Sequence, residues 1–270
     1  MGSHDELKKI RDILNIKGKC NVVYIDDTKY EPFYRQLLQN LKQFGDSPDC
    51  ITTIDNYVFP IEHFELDSYK NNKKGSAFRK VEETFKNNFI STNGSIEYVE
   101  EKLEMEQTID NIIKNFNKVF DDHYEKIKVY CENVKNSGLY NNYIICNPIF
   151  MIEVKDPFIP IGIDKEGYER EINLIYSDLL INKLETSLLN GMIVIYYTPE
   201  QNYFYILMKN ELSLKIAKQN MYTLLDYSIK PKEVDMVAVA YYEEEDPETV
   251  IKKFRKYKIN GFNESVDKRS

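Results

Sequence analysis

The sequence predicts an α/β protein with a mixed central sheet flanked by helices and a long helical insertion. Three observations carry that expectation. Short runs rich in Ile, Val, Phe and Tyr alternate with stretches of helical period. The run over residues 143–155 is apolar enough to suit a strand covered on both faces. Between residues 96 and 134 neither Pro nor Gly interrupts an apolar repeat of three- and four-residue steps. With 270 residues, 42% of them hydrophobic, the chain can bury a core without disulfide or metal staples.

Each element has a local reason. Residues 5–15 read as a short helix, with Leu7, Ile10 and Leu14 on one face and Gly18 just beyond its end. The run 21–25, bounded by Asp26 and Asp27, reads as a buried strand. Asp27 or Thr28 caps a helix over 30–44, which Gly45 closes. An extended segment over 57–67 leads into a basic loop from Lys70 to Gly75, and Ser76 caps a helix over 77–88. Asn93 and Gly94 turn the chain, with Ser95 as the next cap. Ile109, Ile113, Phe116, Phe120, Tyr124, Ile127 and Val134 mark a long helix, or a helical hairpin broken near residues 117–122. That stripe is too apolar to leave in water, so the insert is expected to protrude and pack on itself or on a protein partner.

The second half returns to α/β. A strand over 143–155 bends at Pro148, where the ladder loses a donor. A helix follows over about 170–189, then strands over 192–197 and 203–208. Asn210 caps a helix to Gln219, and a strand over 236–242 precedes an acidic run and a helix over 247–257. The expected organisation is an α/β core over 5–75 and 138–260, a helical insertion over 76–137, and a tail over 261–270.

Composition excludes several classes. Lys plus Arg number 36 and Asp plus Glu 44, a formal charge of −8, which disfavours coating nucleic acid by charge alone. A local basic cleft in an acidic whole is still allowed. No run approaches the roughly 18 apolar residues of a membrane span, and no signal segment opens the chain, so a cytoplasmic protein without membrane contact is expected. Cys20, Cys50, Cys131 and Cys146 are scattered, and read as reduced thiols. The glycine-rich phosphate loops, the zinc helix motif and the hydrolase nucleophile elbow are all missing.

Two strands carry charge where strand patterning does not ask for it. In the segment Ile61 to Asp67, a period of two places His63, Glu65 and Asp67 on one face, with Glu62, Phe64 and Leu66 on the other. The same rule groups Met151, Glu153 and Lys155. Buried charges are costly unless paired or metal-bound. A pair of hard carboxylates suits Mg²⁺ or Mn²⁺, and a lysine on the same face can stabilise developing negative charge. The plainer account is a Glu–Lys pair on a solvated edge.

The order of these parts resembles the core of the PD-(D/E)xK nuclease superfamily: a strand with Asp67, a strand ending in Glu153-Val154-Lys155, a helix, and a further strand. The segment Ile61-Glu-His-Phe-Glu-Leu-Asp67, followed by Lys73-Lys74-Gly75-Ser76, resembles a bacterial and phage branch of it. The resemblance implies a metal-dependent nuclease cutting DNA or RNA, with phage defence as its expected setting. It assigns catalysis to Asp67, Glu153 and Lys155, and metal binding to Asp67, Glu153 and Glu65. His63 would support the site, and Lys73 and Lys74 would contact nucleic acid. Glu31 or Glu83 could add a helix carboxylate. The alternative is an inactive protein of the same fold with an interaction, regulatory or immunity role. On the active reading, Asp67 and Glu153 should sit on adjacent strands with carboxylates roughly 3–6 Å apart.

Overall fold

The computed structural model describes residues 20–25, 31–45, 47–67, 71–72, 75–76, 98–105, 108–154, 160–197, 202–229, 232–239 and 254–259. In chain order the first part holds β1 (Cys20–Tyr24), α1 (Glu31–Gln39), β2 (Lys42–Gln43), β3 (Cys50–Ile54), β4 (Tyr57–Leu66), β5 (Asn71–Asn72), β6 (Gly75–Ser76) and β7 (Tyr98–Met105). The middle holds α2 (Ile109–Tyr124), α3 (Ile127–Asn136), β8 (Ile144–Ile145), β9 (Ile149–Val154), β10 (Ile161–Ile163) and β11 (Glu169–Glu171). The rest is α4 (Asp178–Thr186), β12 (Gly191–Tyr197), β13 (Asn202–Met208), α5 (Glu211–Gln219), β14 (Ser228–Ile229), β15 (Lys232–Val239) and β16 (Phe254–Ile259).

An eight-stranded mixed sheet forms the centre, in the order β1-β13-β12-β9-β4-β3-β2, with β8 beside β4. The three strands β12, β9 and β4 run parallel, β1 runs parallel to β13, and the remaining pairs are antiparallel apart from β4 with β8. Alternation along each strand splits the core into two layers. Phe64, Leu66, Phe150, Ile152, Val194 and Tyr196 face a layer closed by α2, α3, α4 and α5. Ile61, Ile149, Met151, Ile193, Ile195 and Ile206 face the opposite layer, closed by Tyr34, Leu37 and Leu38 of α1. β9 is buried along its whole length, as a parallel strand covered on both faces should be.

Local chemistry sets the boundaries. Pro148 has no N–H for the ladder and separates β8 from β9, the interruption expected at that residue. Thr108 accepts from the Asn111 N–H at 3.2 Å and starts α2. Asn210 accepts from the Ser213 N–H at 2.8 Å and starts α5, as its sequence position suggests. Gly191 opens β12, where an added Cβ would meet Met208 Sδ at 2.7 Å and the Leu207 carbonyl at 3.0 Å. Three smaller sheets complete the described residues: β11-β10-β14, β16-β15-β7 and the hairpin β5-β6.

Several expectations are corrected. The insert is not helical from residue 96: Tyr98–Met105 is a strand, paired antiparallel along its length with β15. Two helices do follow, but the break falls at Glu125 and Lys126 rather than near residues 117–122. They do not protrude either. Phe116, Phe120 and Tyr130 are fully buried in one cluster with Phe64 and Phe150 of the sheet. The expected helix over 170–189 is a strand, a single helical turn and then α4; the 3-10 turn uses the Asn173 side chain, which accepts from the Ile175 N–H at 3.2 Å. The expected first-half helix stops at Gln39, with Lys42–Gln43 in β2, and residues 254–257 of the last expected helix belong to β16. The helices expected over 5–15 and 77–88 lie outside the described residues.

Candidate functional site

β4 and β9 run side by side and parallel, in the register Ile61↔Ile149 to Leu66↔Val154. That register stands His63 beside Met151 and Glu65 beside Glu153, so all four lie on the α1 face. Sites of open α/β sheets gather at the carboxyl ends of parallel strands, where these residues are found. His63 Nε2 lies 2.9 Å from Glu153 Oε2. Both residues are buried, at 4% and 3% exposure, where a polar group needs a partner. The tautomer that donates from Nε2 leaves the buried Nδ1 lone pair without a partner among the described residues. Asp49 holds the backbone here, its Oδ2 accepting from the His63 N–H at 2.9 Å. Glu65 is half-buried, at the more open edge of the group.

Asp67 follows the last residue of β4 and is buried. Its carbonyl accepts from Asn115 Nδ2 at 2.7 Å, which ties the end of β4 to α2. The register places Glu65, rather than Asp67, directly beside Glu153. Lys155, Lys73, Lys74 and Glu83 lie outside the described residues.

A second pair, missed in the sequence, stands back to back with the first. Glu62 points through the other face of β4, where its Oε1 lies 2.9 Å from His123 Nδ1 of α2. Among the described residues, Glu62 Oε2 is buried without a close hydrogen-bond partner. The His123 ring stacks on Phe64 at 4.8 Å, and the Tyr130 hydroxyl of α3 donates to the His123 carbonyl at 3.1 Å. Burial drives the Tyr130 hydroxyl far above the ordinary tyrosine range, and the Glu62 charge adds to the shift. A sequence signal existed: His123 follows Phe116 and Phe120 at helical spacing, on the apolar stripe itself. A ring nitrogen there needs a polar partner across the interface.

Among the described residues, no group of three or more His, Cys, Asp or Glu side chains is placed to hold a metal ion. A closed cage of protein ligands is therefore not formed by these residues. Mg²⁺ asks for less: one or two carboxylates, with water and substrate phosphate completing the shell. Glu65 and Glu153 are two carboxylates abreast on one face. Among the described residues, no helix is long and apolar enough to cross a membrane. Models of known families, curated proteins and solved structures give no match to the chain.

Proposed function

We propose that the chain is a metal-dependent phosphodiesterase of the nuclease-like kind, acting on DNA or RNA from the carboxyl ends of β4 and β9. One observation carries the reading: two carboxylates, Glu65 and Glu153, stand abreast on adjacent parallel strands, and one of them is buried against a histidine. Glu65 and Glu153 would hold the ion, with water and substrate phosphate completing its shell, while Asp67, buried just past β4, is not placed with them as a third ligand. A bound Mg²⁺ or Mn²⁺ polarises a phosphate oxygen and makes its water a better nucleophile. His63 fixes the rotamer of Glu153 through Nε2, so the carboxylate needs little reorganisation when substrate arrives. Lys155, assigned by strand alternation to the face of Glu153, meets the negative charge that develops on phosphate. Lys73 and Lys74 contact the nucleic-acid backbone.

The test is cleavage of labelled single- and double-stranded DNA and RNA by the purified chain, with Mg²⁺, Mn²⁺ or chelator. Glu153→Gln keeps an acceptor for His63 and removes the charge, so it should fold and lose at least about 100-fold in rate. Lys155→Ala should lose a comparable amount. A chain that cuts none of these substrates and gives no saturable heat on Mg²⁺ titration overturns the proposal and leaves an interaction protein of the same fold.

A further inference from the structure

Cys131 and Cys146 take no part in the site above. Cys131 lies on α3 and Cys146 in the turn between β8 and β9, 15 residues later. Cys131 Sγ donates to the Cys146 carbonyl at 3.7 Å, and Cys146 Sγ lies 3.9 Å from the Ile144 carbonyl. Both thiols are free and half-buried. Their supports are well anchored. The Cys146 N–H donates to Val58 of β4 at 2.9 Å, while Asn133 of α3 donates to the Ser47 carbonyl at 2.7 Å. Burial raises both thiols above the ordinary cysteine range, and Cys131 itself contributes to the rise at Cys146, as neighbouring sulfurs do.

We propose that Cys131 and Cys146 are a dithiol that closes reversibly into a disulfide when the protein meets a small-molecule disulfide, stapling α3 to the β8–β9 turn. The thiolate of one cysteine attacks a sulfur of glutathione disulfide, whose S–S bond breaks and releases one glutathione. The second thiolate attacks the protein sulfur of the mixed disulfide and expels the other glutathione. Two protein thiols are oxidised, one glutathione disulfide is reduced, and the two protons go to the two released glutathiones. Because the attacking species is the thiolate and burial disfavours it, closure speeds up as the pH rises. The staple would fix the helix that carries Tyr130, whose hydroxyl donates to the His123 carbonyl.

The experiment treats the full chain with glutathione disulfide at mildly alkaline pH, alkylates the remaining thiols and maps the peptides by mass. The expected result is a Cys131–Cys146 cross-link, with the fully buried Cys50 still alkylated only after unfolding. Thermal melting should shift upward and return with dithiothreitol, and Cys131→Ser and Cys146→Ser should each abolish the shift. Lasting glutathione adducts on both cysteines, thiols that never link, or an upward shift that persists in the Ser variants overturns the proposal.

Discussion

At the scale of single residues, the two histidine–glutamate pairs on β4 decide how the site tolerates change. His63 and Glu153 bond to each other in a dry setting, so removing Glu153 leaves the buried His63 Nε2 without its acceptor, and removing His63 takes one bond from a buried carboxylate. His63→Leu or Glu153→Leu alone should cost about 1–3 kcal/mol in urea unfolding, while the double variant should cost clearly less than the sum. A strictly additive cycle would show that the pair is not coupled. Half of this chemistry was legible in the sequence. Strand alternation grouped His63 with Glu65 and put Glu153 beside apolar neighbours, because a period of two is a local property. The partners were not legible. Which of Glu65 and Asp67 stands opposite Glu153 depends on register, and register is set by a strand that arrives 90 residues after His63.

At the scale of elements, strong apolar runs with clear punctuation were readable and mixed ones were not. β12 and β13 are nearly all Ile, Val, Met, Phe and Tyr, and the expected strands sit on them to within a residue. β7 reads Tyr-Val-Glu-Glu-Lys-Leu-Glu-Met, and its Glu, Lys and Leu favour helix. Its period-two trace, Val99, Leu103 and Met105, was the weaker signal, yet pairing with β15 outweighed propensity. β3 is a five-residue strand with no counterpart among the expected elements, and antiparallel pairing with β4 supports it. The start of β12 offers a sharp test. Gly191→Ala pushes a methyl against the Leu207 carbonyl and Met208, so it should destabilise the fold by about 1–3 kcal/mol, measured by chemical unfolding. An unchanged midpoint would mean that the β12–β13 ladder has more room there than the contact distances allow.

At the scale of the whole molecule, buried tyrosines set the alkaline limit of stability. Burial pushes the Tyr205 hydroxyl up to about 12, with the Glu171 charge adding to it, and raises Tyr130 and Tyr222 further. In the unfolded chain these groups ionise near 10. The folded state therefore holds protons that the unfolded state has released, and stability falls with rising pH once that window opens. The contribution is fully present below about pH 10 and is lost progressively as pH climbs through about 12 for Tyr205 and beyond for the other two. Urea midpoints measured across this range should be level below it and drop within it; midpoints level throughout would contradict the burial of these rings.

The strand order also sets a timetable for synthesis. β1 is among the first described segments to leave the ribosome, yet its neighbour is β13, with Cys20 in register with Asn202. It must stay unpaired while the intervening chain is made. His63 waits in the same way for a glutamate 90 residues downstream. Long-range parallel pairings are slow to form, and partly made chains with open edges are the ones that aggregate. A nascent chain released before β9 has emerged therefore lacks Glu153 and cannot assemble the carboxylate pair. Whatever chemistry that pair performs begins only after β9 has cleared the exit tunnel and found β4.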